Sequence, residues 1–308
     1  MEANNLQYTV PEETARLLRL ATYASVFVAT LLIIVKLIAW GRSDSVSLLA
    51  TLVDSFLDGF ASVINLVAVR HALTPADKEH RFGHGKAEAL AGLSQSLLIA
   101  GSSGFLLLEA SQTFFNPTEI KYPLSSMGVM GFSIVITMIL VGFQHYVIGK
   151  TQSIAIRADA LHYKTDVLIN AAVILALWLT TLGLKFFDPL IGGIIACYIL
   201  YSALGILSLS LDQLMDRELP DEVRDEIKKI VLSHPQAQGM HDLRSRHSGA
   251  HTFIQFHLEI EDDLSLIQAH NVTDEIETKL LERFSEAEII IHIDPKSVVG
   301  KEAVATFD

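Results

Sequence analysis

Asp54 and Asp58 stand one helical turn apart inside LVDSFLDGFASVINLVAVR, a stretch otherwise apolar enough for a lipid bilayer. An ionised aspartate at a bilayer centre costs about 2.5–3.5 kcal/mol even on the mildest scale. A second pair, His162 and Asp166 in HYKTD, has the same i, i+4 spacing. Residues so spaced project from one face of a helix. Measured from the ends of their apolar runs, both pairs lie roughly 12–20 Å deep, so they can meet at one level. Three carboxylates and one imidazole make a set of oxygen and nitrogen donors that suits a tetrahedral divalent ion such as Zn²⁺. A bound cation would offset the charge that makes the carboxylates costly. The plainer reading is polar bonding between neighbouring helices. Two matched pairs with a histidine among them favour an ion or proton path.

Two further groups carry ligand chemistry. The segment TPADKEHRFGHGKAE holds Asp77, His80 and His84 within eight residues, and spacing alone leaves it open between a metal site and a solvated basic loop. The last third of the chain is rich in histidine. In FIQFHLEIE, strand alternation places Ile254 and Phe256 opposite to Phe253, Gln255 and His257, while His292 and Asp294 share one face of the final strand. If His241, His257, His270, His292 and Asp294 converge, they can hold one or two metal ions. His234, His247 and His251 read as turn or edge positions.

The remaining sequence indicates what must position these groups. Of the 308 residues, 50% are hydrophobic and 19% charged, which fits a chain split between membrane and water. Six runs can cross a hydrocarbon core of about 30 Å, at approximately 16–40, 46–70, 87–115, 123–149, 154–182 and 187–211. The first run is too long for a signal-peptide core, so no cleaved leader is expected. Arg16, Arg19, Arg70, Lys78, Arg81, Lys86, Lys150, Arg157 and Arg217 fall on one side, against Arg42, Lys121 and Lys185 on the other. The positive-inside rule then places both termini in the cytoplasm. Within the runs, Lys36 is expected to snorkel outward, Glu109 to lie near an outer end, and Asn65 and Asn170 to bond between helices. Asp159 is expected to complement the dipole at the start of the fifth helix.

Beyond the apolar runs, LPDEVRDEIKKIVLSH and LSLIQAHNVTDEIETKLLERF read as amphipathic helices, and GMHDLRSRHSG, HTFIQFHLEIED and AEIIIHIDP as strands. The order α-β-β-α-β predicts a ferredoxin-like α+β layer. The expected organisation is a cytoplasmic segment 1–15, a six-helix transmembrane domain 16–212, a cytoplasmic metal-binding domain 213–299 and a tail 300–308. From Gln213 onward there are 20 acidic and 10 basic residues, a net −10 that repels nucleic acid and suits a cationic partner. The single cysteine, Cys197, excludes an internal disulfide framework and a Cys-rich zinc ribbon.

VDSFLDG, RFGHGKAE, ALHYKTD, SLDQLMDRELPDE and IIIHIDP together resemble the cation diffusion facilitators, over residues 16 to 299. The resemblance implies a homodimeric, proton-coupled exporter of divalent metal, most readily Zn²⁺ with Cd²⁺ or Fe²⁺ as alternatives, in a bacterial inner membrane. It implies a transport site of Asp54, Asp58, His162 and Asp166, and a loop site of Asp77, His80 and His84. It further implies a regulatory site of His241, His257, His270, His292 and Asp294, and a charge pair of Lys86 with Asp216 at the dimer hinge. Ile293 departs from the pattern, which has Gln between the His and the Asp. A membrane-anchored metal sensor, a metalloenzyme with a catalytic tail domain and a passive channel are the competing readings. Four strong ligands at one depth disfavour the channel.

Overall fold

The computed structural model describes residues 10–43, 46–115, 124–181, 187–285 and 287–302. Six long helices come first: α1 (Glu12–Ser43), α2 (Val46–Ala72), α3 (Lys86–Phe115), α4 (Leu124–Thr151), α5 (Ile154–Thr181) and α6 (Phe187–Leu214). Each coincides with one apolar run. The connections FNPTEIKYP and GLKFFDP lie largely outside the described residues, as do the first nine residues and the last six.

Among the described residues, five of these helices, all except α5, are long and apolar enough to cross a membrane. The apolar windows are only 22–33% buried, leaving side chains such as Phe27, Phe60, Leu98, Phe105 and Ile139 exposed. Such surface is stable only against lipid or another apolar partner, and the chain is an integral membrane protein. α2 packs on α1 and α3, and α5 on α3 and α4. Gly92 sits where α3 meets Ile154 and Ser210, and a Cβ there would lie 2.6 Å from Ile154 Cγ2. Only glycine allows that approach.

The chain divides into two compact units, the helices forming one as residues 12–74 and 86–211. The other contains residues 75–85 and everything from Asp212. Composition places the 75–85 loop within the membrane domain, while in its packing it groups with the C-terminal unit. The reason is local packing. Phe82 meets Phe253 edge-on at 5.9 Å between ring centroids, with the Arg246 guanidinium over both rings. Gly85 lies against the turn of a hairpin, where a Cβ would run into the Ser248 carbonyl and Gly249 has φ +60°.

The C-terminal unit follows the order α7 (Asp221–Leu232), β1 (Gly239–Ser248), β2 (His251–Ile260), α8 (Leu266–Arg283), β3 (Ala287–Pro295) and α9 (Lys296–Glu302). α9 runs past residue 299, where composition ends the domain. The sheet order is β1-β2-β3, antiparallel then parallel. Ser265 and Gln268 form a reciprocal capping box at the start of α8. Alternate β2 residues Ile254, Phe256, Leu258 and Ile260 are buried against Ile227 and Val231 of α7 and Val272, Ile276 and Leu280 of α8. His257 and Glu259 are thereby turned to the other face of the sheet. Phe256 is 1% exposed, so Phe256→Ala is expected to cost about 3–5 kcal/mol. The check is hydrogen exchange of the β2 amides in the purified full chain. Unchanged protection would contradict the packing.

Candidate metal centres

Three of the four intramembrane residues come together, and Asp54 is not among them. One ligand atom each from Asp58, His162 and Asp166 lies within 4.8 Å of the others, and His162 Nε2 is 3.0 Å from Asp58 Oδ1. Donors so placed need only close by an ångström or so to coordinate an ion at about 2.0–2.2 Å. All three are partly buried, whereas Asp54 is exposed one turn along α2 and within electrostatic range of Asp58, His162 and Lys36. Lys36 does not snorkel. Its ammonium turns onto α2, donating to the Thr51 carbonyl at 3.1 Å and Ser55 Oγ at 2.6 Å. An acidic site nearby holds a cation more strongly than the rim attracts it.

The loop group also comes together, its three ligand atoms within 4.8 Å. Asp77 Oδ1 accepts from the His80 N–H at 2.6 Å and the Glu79 N–H at 2.9 Å, a local turn that holds the carboxyl below its ordinary pKa. The same carboxylate is 3.4 Å from His80 Nδ1 and 3.4 Å from His84 Nε2. Gly83, at φ +76°, turns the chain so that the two imidazoles lie side by side, 4.5 Å between ring centroids.

In the C-terminal unit, strand register builds the centre. His241 pairs with His257 across β1–β2, and His257 pairs with His292 across β2–β3, so three histidines stand in one row. Asp294 serves all of them: its carboxylate is 2.7 Å from His257 Nδ1, 3.2 Å from His292 Nε2 and 3.5 Å from His241 Nε2. His241, His257 and Asp294 form the tightest set, within 4.8 Å. His270 is not in this group; it is exposed on α8, 3.5 Å from Asp274.

Two acids were missed by sequence reasoning. Glu259 accepts from His241 Nδ1 at 3.0 Å, which aims the other ring nitrogen at Asp294. Asp242 lies at a register shift in β1 with φ +48°, and this bulge returns its carboxylate to within 3.8 Å of His257 Nε2. Alternation could have indicated Glu259, but nothing in the sequence marks the bulge. The other histidines have structural settings. His234 bonds Glu275 at 3.0 Å, and burial pushes His247 and His251 at the hairpin below their ordinary pKa.

Lys86 opens α3 in the helical unit. Asp216 lies in the other unit, where it accepts from Arg246 at 3.1 Å.

Because one carboxylate joins three imidazoles, Asp294→Ala is expected to weaken zinc binding at this centre by about tenfold or more. The measurement is competitive zinc titration in an Asp58→Ala background, which removes the intramembrane contribution. An unchanged isotherm would contradict the assignment.

The profile of the cation efflux transmembrane domain matches residues 22–215, and that of the cation efflux protein cytoplasmic domain matches residues 219–296. Among curated relatives, the cation-efflux pumps FieF of Salmonella choleraesuis (strain SC-B67) and Salmonella newport (strain SL254) are each 49% identical over 287 residues, covering 93% of this chain and 96% of theirs. Among solved structures, the metal-bound C-terminal domain of the CzcD transporter from Thermotoga maritima is 28% identical, with a TM-score of 0.23 over 24% of this chain and 87% of its own. The cytosolic domain of a cation diffusion facilitator family protein is 27% identical, with a TM-score of 0.24 over 25% of this chain and 92% of its own. The chain therefore belongs to the cation efflux family of membrane transporters.

Proposed function

We propose that this protein exports divalent metal, foremost Zn²⁺, from the cytoplasm in exchange for protons. The observation that carries the reading is the meeting of Asp58, His162 and Asp166 from two helices inside an apolar bundle. Asp54 completes the donor set when α2 turns towards the ion. α5 is the sixth crossing, its charged half supplying ligands and its cytoplasmic end, and both termini lie in the cytoplasm of a bacterial inner membrane.

The coupling follows from the donors. Carboxylates and imidazole bind protons or metal, not both at full occupancy, so metal affinity falls as proton activity rises. Histidine is the donor whose ordinary pKa, about 6.5, lies in the useful range. Zinc loads from a near-neutral cytoplasm, the helices rock, and protons from the more acidic outer side displace the ion. The protonated site then returns inward.

The C-terminal unit acts as a homodimeric metal sensor. It carries most of the chain's negative charge, so two copies repel until bound metal screens them. A ligand role for His270 requires a second chain, which the dimer supplies. Lys86 and Asp216 belong to the same reading as the charge pair of its hinge. The preferred metal follows the donors: one imidazole with three carboxylates accepts Zn²⁺ and Cd²⁺ readily, and Fe²⁺ next.

Purified protein in liposomes with a zinc-sensitive dye trapped inside tests the transport claim. Under an imposed pH gradient, wild type is expected to move zinc, and Asp58→Ala to fall to the level of protein-free vesicles. A metal sensor or a catalytic tail domain gives no gradient-driven flux at all. Equal flux in wild type and variant overturns the assignment of the site.

A further inference from the structure

A second polar layer lies beside the candidate transport site, and none of its members is a proposed ligand. Asp159, expected at the helix start, is instead fully buried in α5, three residues before His162. Its Oδ2 accepts from Ser25 Oγ of α1 at 2.5 Å and from Gln144 Nε2 of α4 at 2.7 Å. Its Oδ1 accepts from Gln95 Nε2 of α3 at 3.4 Å. Tyr163, next to His162, donates its hydroxyl proton to the Ser25 carbonyl at 3.1 Å. The Ser62 hydroxyl of α2, 2.7 Å away, is therefore the donor to Tyr163.

Five helices are thus joined by six side chains, each no more than 7% exposed. Their position along the bundle is consistent. Ser62 lies four residues beyond Asp58, towards the α2 end that carries Arg70, and Asp159 lies three residues before His162, towards the α5 end that carries Arg157. At about 1.5 Å per residue, the layer is about 5 Å nearer the basic ends than the ligands are. Long side chains on a helix lean towards its N-terminus, so Tyr163 reaches the layer from the ligand level.

The layer is also incompletely satisfied. Gln144 Oε1 and both amide atoms of Asn65, one turn beyond Ser62, are buried without a hydrogen-bond partner among the described residues. Buried polar atoms of this kind are costly, and hydration of the layer would supply what they lack. An apolar plug has no such second arrangement to gain.

We infer that this network is a latch: the Ser62–Tyr163–Ser25 link, braced by Asp159 and Gln144, closes the ion site towards the basic helix ends and must open to admit an ion from that side. The inference deepens the transport reading and rests on it. These residues position the helices that carry the ligands and touch no ion themselves. The Ser62–Tyr163–Ser25 link itself can be released cheaply because its bonds are between neutral groups and exchange for bonds to water, while the stronger bonds to the Asp159 carboxylate brace it.

Accessibility of the site tests the latch without requiring transport. In a Cys197→Ser chain, Asp58→Cys places a thiol at the ligand position, and a charged methanethiosulfonate reagent is applied to one side of oriented membrane vesicles. From the side of the basic ends, Tyr163→Phe and, separately, Ser62→Ala are expected to raise the labelling rate about fivefold, the effect of losing one interhelical hydrogen bond. From the opposite side the rate is expected to stay unchanged. Equal labelling with and without the substitutions overturns the latch, as does an equal increase from both sides. If Tyr163→Phe does not fold, Ser62→Ala, which removes one small hydroxyl, carries the same test. Failure of the transport reading is separate: it appears as zinc flux that survives Asp58→Ala, an assay in which the latch variants take no part.

Discussion

The cost of placing a charge in hydrocarbon constrains everything else in this protein. Carboxylates at Asp54, Asp58 and Asp166 are tolerable inside an apolar bundle only with compensating charge or hydrogen bonds. The structure supplies both in graded form: His162 at bonding distance from Asp58, and the Lys36 ammonium turned inward onto α2. Neither compensates three acids fully. A divalent cation together with the Lys36 ammonium would balance the three. The same penalty explains the second polar layer, where one fully buried aspartate is held by three neutral donors from three other helices.

Outside the bilayer the constraint is different, and so is the architecture. Water already solvates the acidic C-terminal unit, and its candidate ligands are set by sheet register. His241, His257 and His292 occupy neighbouring places in three strands because β2 buries Ile254, Phe256 and Leu258 on the helical side. A slip of one residue would send the histidine row into the core. The apolar core thus specifies which face carries the candidate metal centre, and the Asp294 carboxylate lies beside all three imidazoles.

Much of this was legible in the sequence because it follows from periodicity. Apolar runs located the six helices, the i, i+4 spacing brought Asp58 together with His162 and Asp166, and alternation in FIQFHLEIE put His257 on the polar face. What escaped depends on contacts distant in the chain. The 75–85 loop joins the C-terminal unit through Phe82 and Gly85, whose partners lie more than 160 residues away. The bulge at Asp242 breaks the alternation that would otherwise place its carboxylate. Asp159 looked like a dipole partner because Ser25, Gln95 and Gln144 are scattered through three other helices. Local pattern finds ligands; only packing finds the groups that hold them.

The most direct test of the central claim is anomalous scattering at the zinc edge from crystals of the zinc-loaded protein. Our account predicts a peak between α2 and α5, within about 2.0–2.2 Å of Asp58, His162 and Asp166 donor atoms. Zinc at the loop and C-terminal centres with nothing between α2 and α5 would contradict it, leaving the intramembrane pairs as polar bonds between helices.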